Sequence, residues 1–357
     1  MEHINGVPII KGEVHSIMTL IRLHTRWSSS YTYASITTQQ QDEAVPSIVQ
    51  SFRVLLEYLD GIFDLREVNC VMYLMPFHQV IVSGKASGPL TSAALSSLSK
   101  FALYGFLSIG FPRVVEGINL IANSISHCVF EETDWESDEL ILMKLLELSA
   151  LCFRCDASDL LTVSAAWDIY STCLSIHNHY RASKILKSEA ETALVHLTLT
   201  AFSKLFLIVK SKPSATLEGA VRISTSDNAV SDSIVEAAHH RLGNEVGISM
   251  LLGKIMSLLS SMLELQTQKT ETIKFALFLI NIALEAGGLA LGSISSLVEI
   301  LRNDVCRHLL RASQSENLAV LSLVRTLYLY LYLYLYLYIS LYQYQYLYLI
   351  SMNLIYS

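Results

Sequence analysis

Apolar residues recur along this chain every three or four positions, the spacing that places them on one face of an α-helix. In the segment from Ile9 to Trp27, one face carries Ile10, Val14, Ile17, Met18 and Ile21. The same spacing predicts further helices over residues 46–63, 65–83, 89–107, 112–128, 137–151, 162–177, 183–209, 246–265, 270–286 and 295–312. Helices of about fifteen to twenty residues with short corners are typical of a helical solenoid. We therefore expect an all-α fold, an armadillo/HEAT-like right-handed α-solenoid.

The stretch from Leu65 to Leu107 predicts two helices joined by a glycine-rich corner. Gly84 and Gly88 permit the turn, and Pro89 stands where a helix tolerates proline, at the first position of the second helix. Apolar residues then recur at helical spacing, with small serines and alanines between them: Leu90, Ala94, Leu98, Phe101 and Leu103. Such a helix packs closely on both sides, as the inner helices of solenoids do.

Two segments interrupt the helical pattern. Residues 210–244 contain Pro213 and several Ser, Thr and Gly without a sustained apolar period, which predicts a linker. From Leu327 the chain changes to LYLYLYLYLYLYISLYQYQYLYLI. We therefore divide the chain into a helical domain over 1–209, a linker over 210–244, a truncated second helical domain over 245–326 and a Tyr/Leu low-complexity tail over 327–357.

The Tyr/Leu tail is compatible with more than one structure. As a strand it would place leucines on one face and tyrosines on the other, a pattern prone to aggregation. As a helix, the uncharged run Leu327–Ile350 would be long enough to span a bilayer, although tyrosine prefers the membrane interface. A two-letter repeat is more typical of biased coding sequence, so we expect a truncated or mis-spliced gene model at this point.

Composition and charge exclude some partners. The chain has 52% hydrophobic residues, 16% charged residues and a mean hydropathy of +0.42, which suits helices buried on two sides. Its 25 basic and 32 acidic residues give a net charge of −7 without a basic stripe, so nucleic acid is not an expected partner. The six cysteines are scattered and no apolar leader precedes them, which predicts a cytosolic chain with free thiols.

The candidate chemical motifs favour structural roles. Cys152 and Cys155 form the only Cys-x-x-Cys pair, but no second pair stands at zinc-binding distance, so we expect buried helix cysteines. His239 and His240 fall in the predicted linker, where a solvated pair is the default. His177 and His179 flank a predicted helix end, where histidine suits the helix dipole. The tryptophans are isolated and favour core or edge positions over a stacking platform: Trp27, Trp135 and Trp167.

The acidic segment Glu131–Glu139 predicts the start of a helix. Carboxylates in a first turn complement the helix dipole, and Ser137 is a suitable N-cap. A calcium loop would need alternating ligands around a glycine, which this segment lacks. No phosphate-binding glycine loop, nucleophile elbow or His-Glu-x-x-His motif occurs, so we expect no enzyme activity, no metal site and no cofactor.

Four sequence blocks resemble a known family. They are MPFHQVIVSGKASGPLTSAALSSLSKF (Met75–Phe101), IIKGEVHSIMTLIRLHTRWS (Ile9–Ser28), SDELILMKLLEL (Ser137–Leu148) and RNDVCRHLL (Arg302–Leu310). These blocks are similar to the N-terminal dimerisation and cyclophilin-binding region of large Arf guanine-nucleotide exchange factors, within them to the Golgi-specific brefeldin-A-resistance class. The resemblance covers about Ile9 to Leu327 and is weak over residues 210–244.

The resemblance implies a regulatory and interaction region. In this family a separate domain releases nucleotide by inserting a glutamate from a Phe-Arg-Leu-Pro-Gly-Glu motif, which does not occur in this sequence. The implied roles are self-association as a homodimer, contact with neighbouring domains and with small GTPases of the Arf or Rab type, and peripheral recruitment from the cytoplasm to Golgi and early-secretory membranes. The alternatives are a generic cytosolic helical scaffold without function, and a membrane protein anchored by Leu327–Ile350.

The resemblance also nominates two residues for the dimer contact, Lys100 and Glu139. Each lies in an ungapped block, Lys100 in Ser-x-x-Lys-Phe and Glu139 in Ser-Asp-Glu. Lys100 is the only charged residue between Lys85 and Arg113. A lone cation on such a helix either extends into solvent or meets a carboxylate across an interface. On the residues alone solvent is favoured, and the resemblance favours the interface.

Overall fold

The computed structural model describes residues 6–31, 44–84, 86–131, 135–211, 246–264 and 268–332 of the chain. These residues are helical, with turns between helices and no strand, which confirms the all-α, solenoid-like fold class. The chain divides into two compact units, Met1–Leu197 and Thr198–Ser357. The predicted division into domains and linker stays a prediction, since the segment 212–245 lies outside the described residues.

In unit 1 the helices stack in a regular order. They are α1 (Val7–Tyr31), α2 (Ala44–Leu59), α3 (Cys70–Val82), α4 (Gly88–Leu103), α5 (Val114–Ser126), α6 (Trp135–Arg154), α7 (Val163–His177) and α8 (Lys184–Ser211), which continues past the division. Helix α3 packs on α5 and α5 on α7, while α4 packs on α6. Several neighbours in sequence also pack, namely α1 with α2, α2 with α3, α3 with α4, α5 with α6 and α6 with α7. Packing between alternate helices is typical of a solenoid.

An aromatic cluster fills the first half of unit 1. Phe77 of α3 meets Phe52 of α2 and Phe101 of α4 edge-to-face, with ring centroids 5.1 and 5.3 Å apart. Tyr73 also lies edge-on to Phe101, and its hydroxyl donates to the carbonyl of Phe106 at 2.6 Å. Burying that hydroxyl requires such a partner. These rings tie α2, α3 and α4 into one core.

The corner between α3 and α4 lies where it was predicted. Helix α3 ends at Val82, Gly84 has a positive φ of 27°, and α4 begins at Gly88, so Pro89 is its second residue and not its first. A Cβ on Gly88 would stand 3.2 Å from Ile141 of α6, so a small residue fits there. The expectation for Leu103 is wrong: its side chain is 67% exposed, because α4 ends there and the chain turns at Tyr104.

Other predicted helix starts are off by a few residues. Helix α2 begins at Ala44, so Pro46 is its third residue, and it ends at Leu59 where Phe63 was expected. Helix α5 begins at Val114, after Arg113 takes a left-handed φ of 56°. Helix α6 begins at Trp135, upstream of the predicted cap Ser137, because the Trp135 indole donates to Glu139 one turn later.

Unit 2 is described from Thr198 onward within α8 and then over 246–264 and 268–332. Its helices are α9 (Val246–Ser261), α10 (Thr270–Gly287), α11 (Ser295–Ile300), α12 (Cys306–Ala312) and α13 (Leu318–Tyr332). Gly288 ends α10 with a positive φ of 44°, as predicted. The predicted helix over 295–312 is continuous but contains a π-helical turn, Leu301–Val305, between α11 and α12.

The last described helix, α13, includes the start of the Tyr/Leu tail. Its buried face carries Val320, Val324, Leu327 and Leu331, and Tyr330 hydrogen-bonds Glu285 of α10. The helical alternative therefore holds for residues 327–332, and residues 333–357 lie outside the described residues. A deletion starting at Leu327 would remove two buried side chains, Leu327 and Leu331.

One helical stretch among the described residues, Thr270–Ser293, is long and apolar enough to cross a membrane by composition. Its most apolar window is 56% buried inside the protein. Core helices of soluble proteins pass the same test, so this stretch is weak evidence for a membrane span.

Candidate functional site

Lys100 forms an ion pair within its own chain. Its Nζ lies 2.6 Å from Oε1 of Glu13 on α1. The second oxygen of Glu13, Oε2, accepts a hydrogen bond from Ser97 at 2.8 Å. The Lys100 side chain is 45% exposed and the Glu13 side chain 16%. The carboxylate that pairs with Lys100 therefore comes from α1. The sequence did not indicate this pair.

A second lysine approaches α4 from the opposite helix. Lys144 of α6 donates to the carbonyl of Ser92 at 3.3 Å and to Oγ of Ser96 at 2.6 Å. Partial burial lowers the pKa of Lys144, Glu147 opposes this shift, and the charge of Lys100 adds to it. Helix α4 thus receives Glu13 from α1 and Lys144 from α6, so polar contacts fix its position on both sides.

Glu139 lies in a different kind of environment. Its Oε1 accepts the backbone N–H of Ser183 at 2.6 Å and the indole N–H of Trp135 at 2.9 Å. Desolvation acts to raise the pKa of Glu139, but the hydrogen bonds from Ser183 and Trp135 outweigh it and lower the pKa from its ordinary value. A carboxylate with two such donors is held in one orientation.

The contact to Ser183 completes the cap of α8. Ser183 is the N-cap of α8: its Oγ accepts from the N–H of Leu186 at 3.1 Å, and its carbonyl accepts from Lys187 at 3.0 Å. In a capping box, a glutamate or glutamine three residues after the N-cap would bind the N-cap's own N–H. Here that position is Leu186, and Glu139 of α6 supplies the missing carboxylate.

Aromatic rings extend from this contact toward the surface. The indole of Trp135 stacks on the imidazole of His179, with centroids 5.1 Å apart and planes 15° apart. His179 is followed by the ring of Tyr180 at 5.0 Å, and the Arg181 guanidinium lies 5.5 Å from the Tyr180 centroid. Glu139 therefore holds Trp135, the first ring of this stack, and also Ser183, two residues after Arg181.

The structure does not bring the two nominated residues together within one chain. Lys100 is bound by α1, and Glu139 is bound by the α7–α8 corner and its own helix. Their dimer contact stays a prediction. The residues that hold them were missed: Glu13, which pairs with Lys100 and is itself bound by Ser97, and Trp135 and Ser183, which donate to Glu139. Two sequence signals indicate where polar partners are needed. Ser92, Ser96 and Lys100 recur every four residues, which gives α4 a polar stripe, and the N-cap Ser183 has Leu186 where a capping box has an acidic residue.

The expectation of buried helix cysteines holds for Cys152 but is wrong for Cys155, which follows the end of α6 and is half-buried. Cys152 is fully buried near the end of α6, and burial raises its pKa, so its thiol is not prepared for attack. Burial likewise raises the pKa of Cys173 to about 12. His177 ends α7, with Nε2 3.3 Å from Glu191. Within the described ranges no group of three or more His, Cys, Asp or Glu could hold a metal ion. His239, His240 and the side chain of Trp27 lie outside the described residues.

The class of protein is thus an all-α helical stack whose candidate site consists of polar contacts between helices. No protein-family model matches the chain. Curated relatives do. The chain is 28% identical over 202 residues to a Golgi-specific brefeldin A-resistance guanine nucleotide exchange factor 1 homolog from Caenorhabditis elegans, covering 56% of this chain and 10% of that protein.

Two relatives from Arabidopsis thaliana agree. The chain is 26% identical over 202 residues to the ARF guanine-nucleotide exchange factor GNOM, covering 55% of this chain and 13% of that protein. It is 24% identical over 323 residues to the ARF guanine-nucleotide exchange factor GNL2, covering 88% of this chain and 22% of that protein. The relatives of this chain are therefore Arf guanine-nucleotide exchange factors. The chain spans between 10% and 22% of their lengths. The activity of the whole relatives is therefore not established for this chain.

Proposed function

We propose that this chain is a regulatory and interaction region of an Arf guanine-nucleotide exchange factor, without catalytic exchange activity of its own. The observation that carries the proposal is the similarity to Arf exchange factors, which extends over 55% to 88% of the chain. The stacked helices support it, because such stacks offer extended surfaces to partners. The missing Phe-Arg-Leu-Pro-Gly-Glu motif supports the non-catalytic part, since no glutamate is presented in that context.

The mechanism is spatial. The helical stack positions a catalytic domain relative to membrane-bound Arf and contributes no interaction to the transition state, so it lowers no barrier. Its partners are a second copy of the chain, neighbouring domains of the exchange factor and small GTPases of the Arf or Rab type. Its place is the cytoplasm and, peripherally, Golgi and early-secretory membranes. Residues 1–209 form the self-associating domain and residues 245–326 part of a second regulatory domain.

A fluorescence exchange assay tests the non-catalytic part. Arf loaded with a fluorescent GDP analogue is mixed with the purified full chain at increasing concentration. We expect the release rate to equal the intrinsic rate at every concentration. A rate that rises with the concentration of the chain would overturn the proposal.

Fractionation tests the peripheral location. Membranes from cells that express the full chain are washed with alkaline carbonate, which strips peripheral proteins but leaves spanning helices in the pellet. We expect the chain in the extract. Retention in the pellet would favour a membrane anchor such as Leu327–Ile350.

A further inference from the structure

Helix α13 carries apolar side chains on two opposite faces. Its buried face consists of Val320, Val324, Leu327 and Leu331, none of them more than 4% exposed. On the opposite face, exposed residues recur at alternating spacings of four and three, the period of a helix. We name them the outer face: Leu318, Ser322, Arg325, Leu329 and Tyr332. A surface helix of a soluble protein usually has polar residues there, so an apolar outer face indicates a contact surface.

The leucines of the outer face are held in solvent by a capped helix. Leu318 is 82% exposed and Leu329 61%. The side chain of Asn317 caps α13, because its Oδ1 accepts from the backbone N–H groups of Ala319 at 3.0 Å and Val320 at 3.4 Å. Leu318 therefore stands at the first position of a fixed helix and not at a frayed end.

The outer face has a positive charge and no negative one. Arg325 is the only charged residue of α13, and among the described residues no carboxylate forms an ion pair with it. Exposed Arg311 in the last turn of α12 and exposed Glu316 lie near the start of α13. Glu285 of α10 accepts the hydrogen bond of Tyr330 at the flank. The other charged residues from α11 to α12 balance one another: Glu299, Arg302, Asp304 and Arg307. A partner that offers negative groups to Arg325 therefore complements this face.

This combination of side chains fits the surface of a phospholipid bilayer. Helices that lie in a membrane interface bury leucines at the acyl-chain boundary, tyrosine prefers the headgroup level, and arginine binds phosphate groups. Leu318 and Leu329 lie about 16 Å apart along the helix axis, so the face can lie flat on a bilayer. A second copy of the chain fits less well, because a two-fold axis through the middle of the face would bring the two Arg325 side chains together.

We propose that the outer face of α13 is a contact surface for a phospholipid bilayer. The leucines enter the acyl-chain boundary, Tyr332 stays at the headgroup level, and Arg325 binds lipid phosphates. The proposal rests on the peripheral membrane location in the proposed function, and it names the part of the chain that makes the contact.

Flotation of the full chain with phospholipid vesicles tests the contact. Vesicles of phosphatidylcholine and phosphatidylserine in a four-to-one ratio are mixed with the chain, and the bound fraction is measured against lipid concentration. We expect the wild-type chain to float with the vesicles. Leu318→Asp and Leu329→Asp should each raise the lipid concentration for half-maximal binding at least about tenfold, because a carboxylate opposes burial at the acyl-chain boundary. Their circular dichroism spectra should be unchanged, since both side chains are exposed.

A matched control and a charge variant sharpen the test. Leu140→Asp is the control, because Leu140 in unit 1 is 58% exposed, and its vesicle binding should stay at the wild-type value. Arg325→Gln removes the charge without touching the buried face of α13. It should weaken binding about fivefold on vesicles that contain phosphatidylserine and less on phosphatidylcholine alone.

The possible failures of this inference and of the proposed function are distinguishable. Binding that is unchanged in both leucine variants, or weakened equally in Leu140→Asp, would overturn the outer face as the contact and leave the peripheral location standing. A wild-type chain that floats with neither kind of vesicle would overturn the bilayer as the partner. A chain missing from the membrane fraction of cells would contradict the peripheral location itself.

Discussion

Lys100 and Glu139 carry opposite charges on helices that pack against each other, α4 and α6, but they are held in different ways. Lys100 reaches one carboxylate at 2.6 Å and remains nearly half exposed. Glu139 accepts a backbone N–H and an indole N–H, so its removal leaves two donors without an acceptor. An exposed ion pair contributes little to stability, whereas an acceptor for part-buried donors contributes more. Substituting Glu139 should therefore lower the stability of the fold more than substituting Lys100, although both residues were nominated for the same contact.

Of the variants that distinguish Lys100 from Glu139, Glu139→Ala is expected to change stability most. We expect it to lower the free energy of unfolding by about 1–3 kcal/mol, because Ser183 N–H and the Trp135 indole lose their acceptor. Urea unfolding followed by circular dichroism measures it. Glu136→Ala, on the same exposed turn, is the control and should change stability by less than about 0.5 kcal/mol. If the two variants are equally stable, Glu139 does not accept from Ser183 and Trp135 in solution.

A smaller effect is expected at the Lys100 ion pair. Lys100→Ala should cost about 0.5–1 kcal/mol, and Lys100→Glu more, because it sets a second carboxylate beside Glu13. The double variant Lys100→Glu with Glu13→Lys should recover most of the loss in dilute, monomeric protein. Because this recovery arises within one chain, a charge swap at Lys100 alone does not demonstrate a contact between two chains. No recovery would mean that the Lys100–Glu13 pair contributes nothing measurable.

The third effect is a pH dependence confined to Glu139. Its pKa in the folded chain lies below the ordinary 4.5, so the folded chain binds this proton less readily than the unfolded chain. The stability that it contributes is complete above the ordinary value and is lost as pH falls through the lower, folded value. Wild type should therefore lose its advantage over Glu139→Gln as pH falls from about 6 to about 3. An advantage that is constant over this range would exclude the lowered pKa.

The smallest effect is expected at Lys144, the third charge between these helices. Its pKa is lowered mainly by desolvation, so the unfolded chain holds this proton more readily. Stability should rise slightly relative to Lys144→Met as pH rises from about 8 to about 10, where the unfolded chain still binds the proton. At neutral pH, Lys144→Met should be within about 0.5 kcal/mol of wild type, because lost hydrogen bonds offset relieved desolvation. Thermal unfolding of both proteins at matched pH measures the difference.

The helices were predictable where one apolar face repeats, as in α1, α4 and α7. Their ends were less predictable, because tertiary contacts decide them. Trp135 starts α6 early through its bond to Glu139, and nothing in the local sequence requires that bond. Similarly, the cap of α8 uses a carboxylate 44 positions earlier in the chain, a partner that a local capping rule cannot supply.

The candidate site was predictable only as two charged positions. Resemblance selected Lys100 and Glu139, but periodicity could not indicate which helices face them. Glu13 is 87 positions from Lys100, and its place opposite α4 follows from how α1 packs. The same limit applies to Lys144, whose place in α6 does not reveal that Ser92 and Ser96 of α4 accept its hydrogen bonds. Polar partners between helices depend on three-dimensional packing, which single-helix patterns do not encode.

The alternating leucines at the start of the Tyr/Leu run make α13 tolerant of changes in length. The buried leucines Leu327 and Leu331 are four positions apart, which places them on the same face of the helix. In a Leu-Tyr repeat every second residue is leucine, so a shift by two residues again places leucine at both positions. Insertion or loss of one Leu-Tyr unit would therefore return a leucine to each buried position. Insertion of a single residue would put tyrosine at those buried positions, where the larger ring would crowd its neighbours. Slippage by whole repeat units would thus be silent for the packing of this helix, whereas a shift by one residue would not.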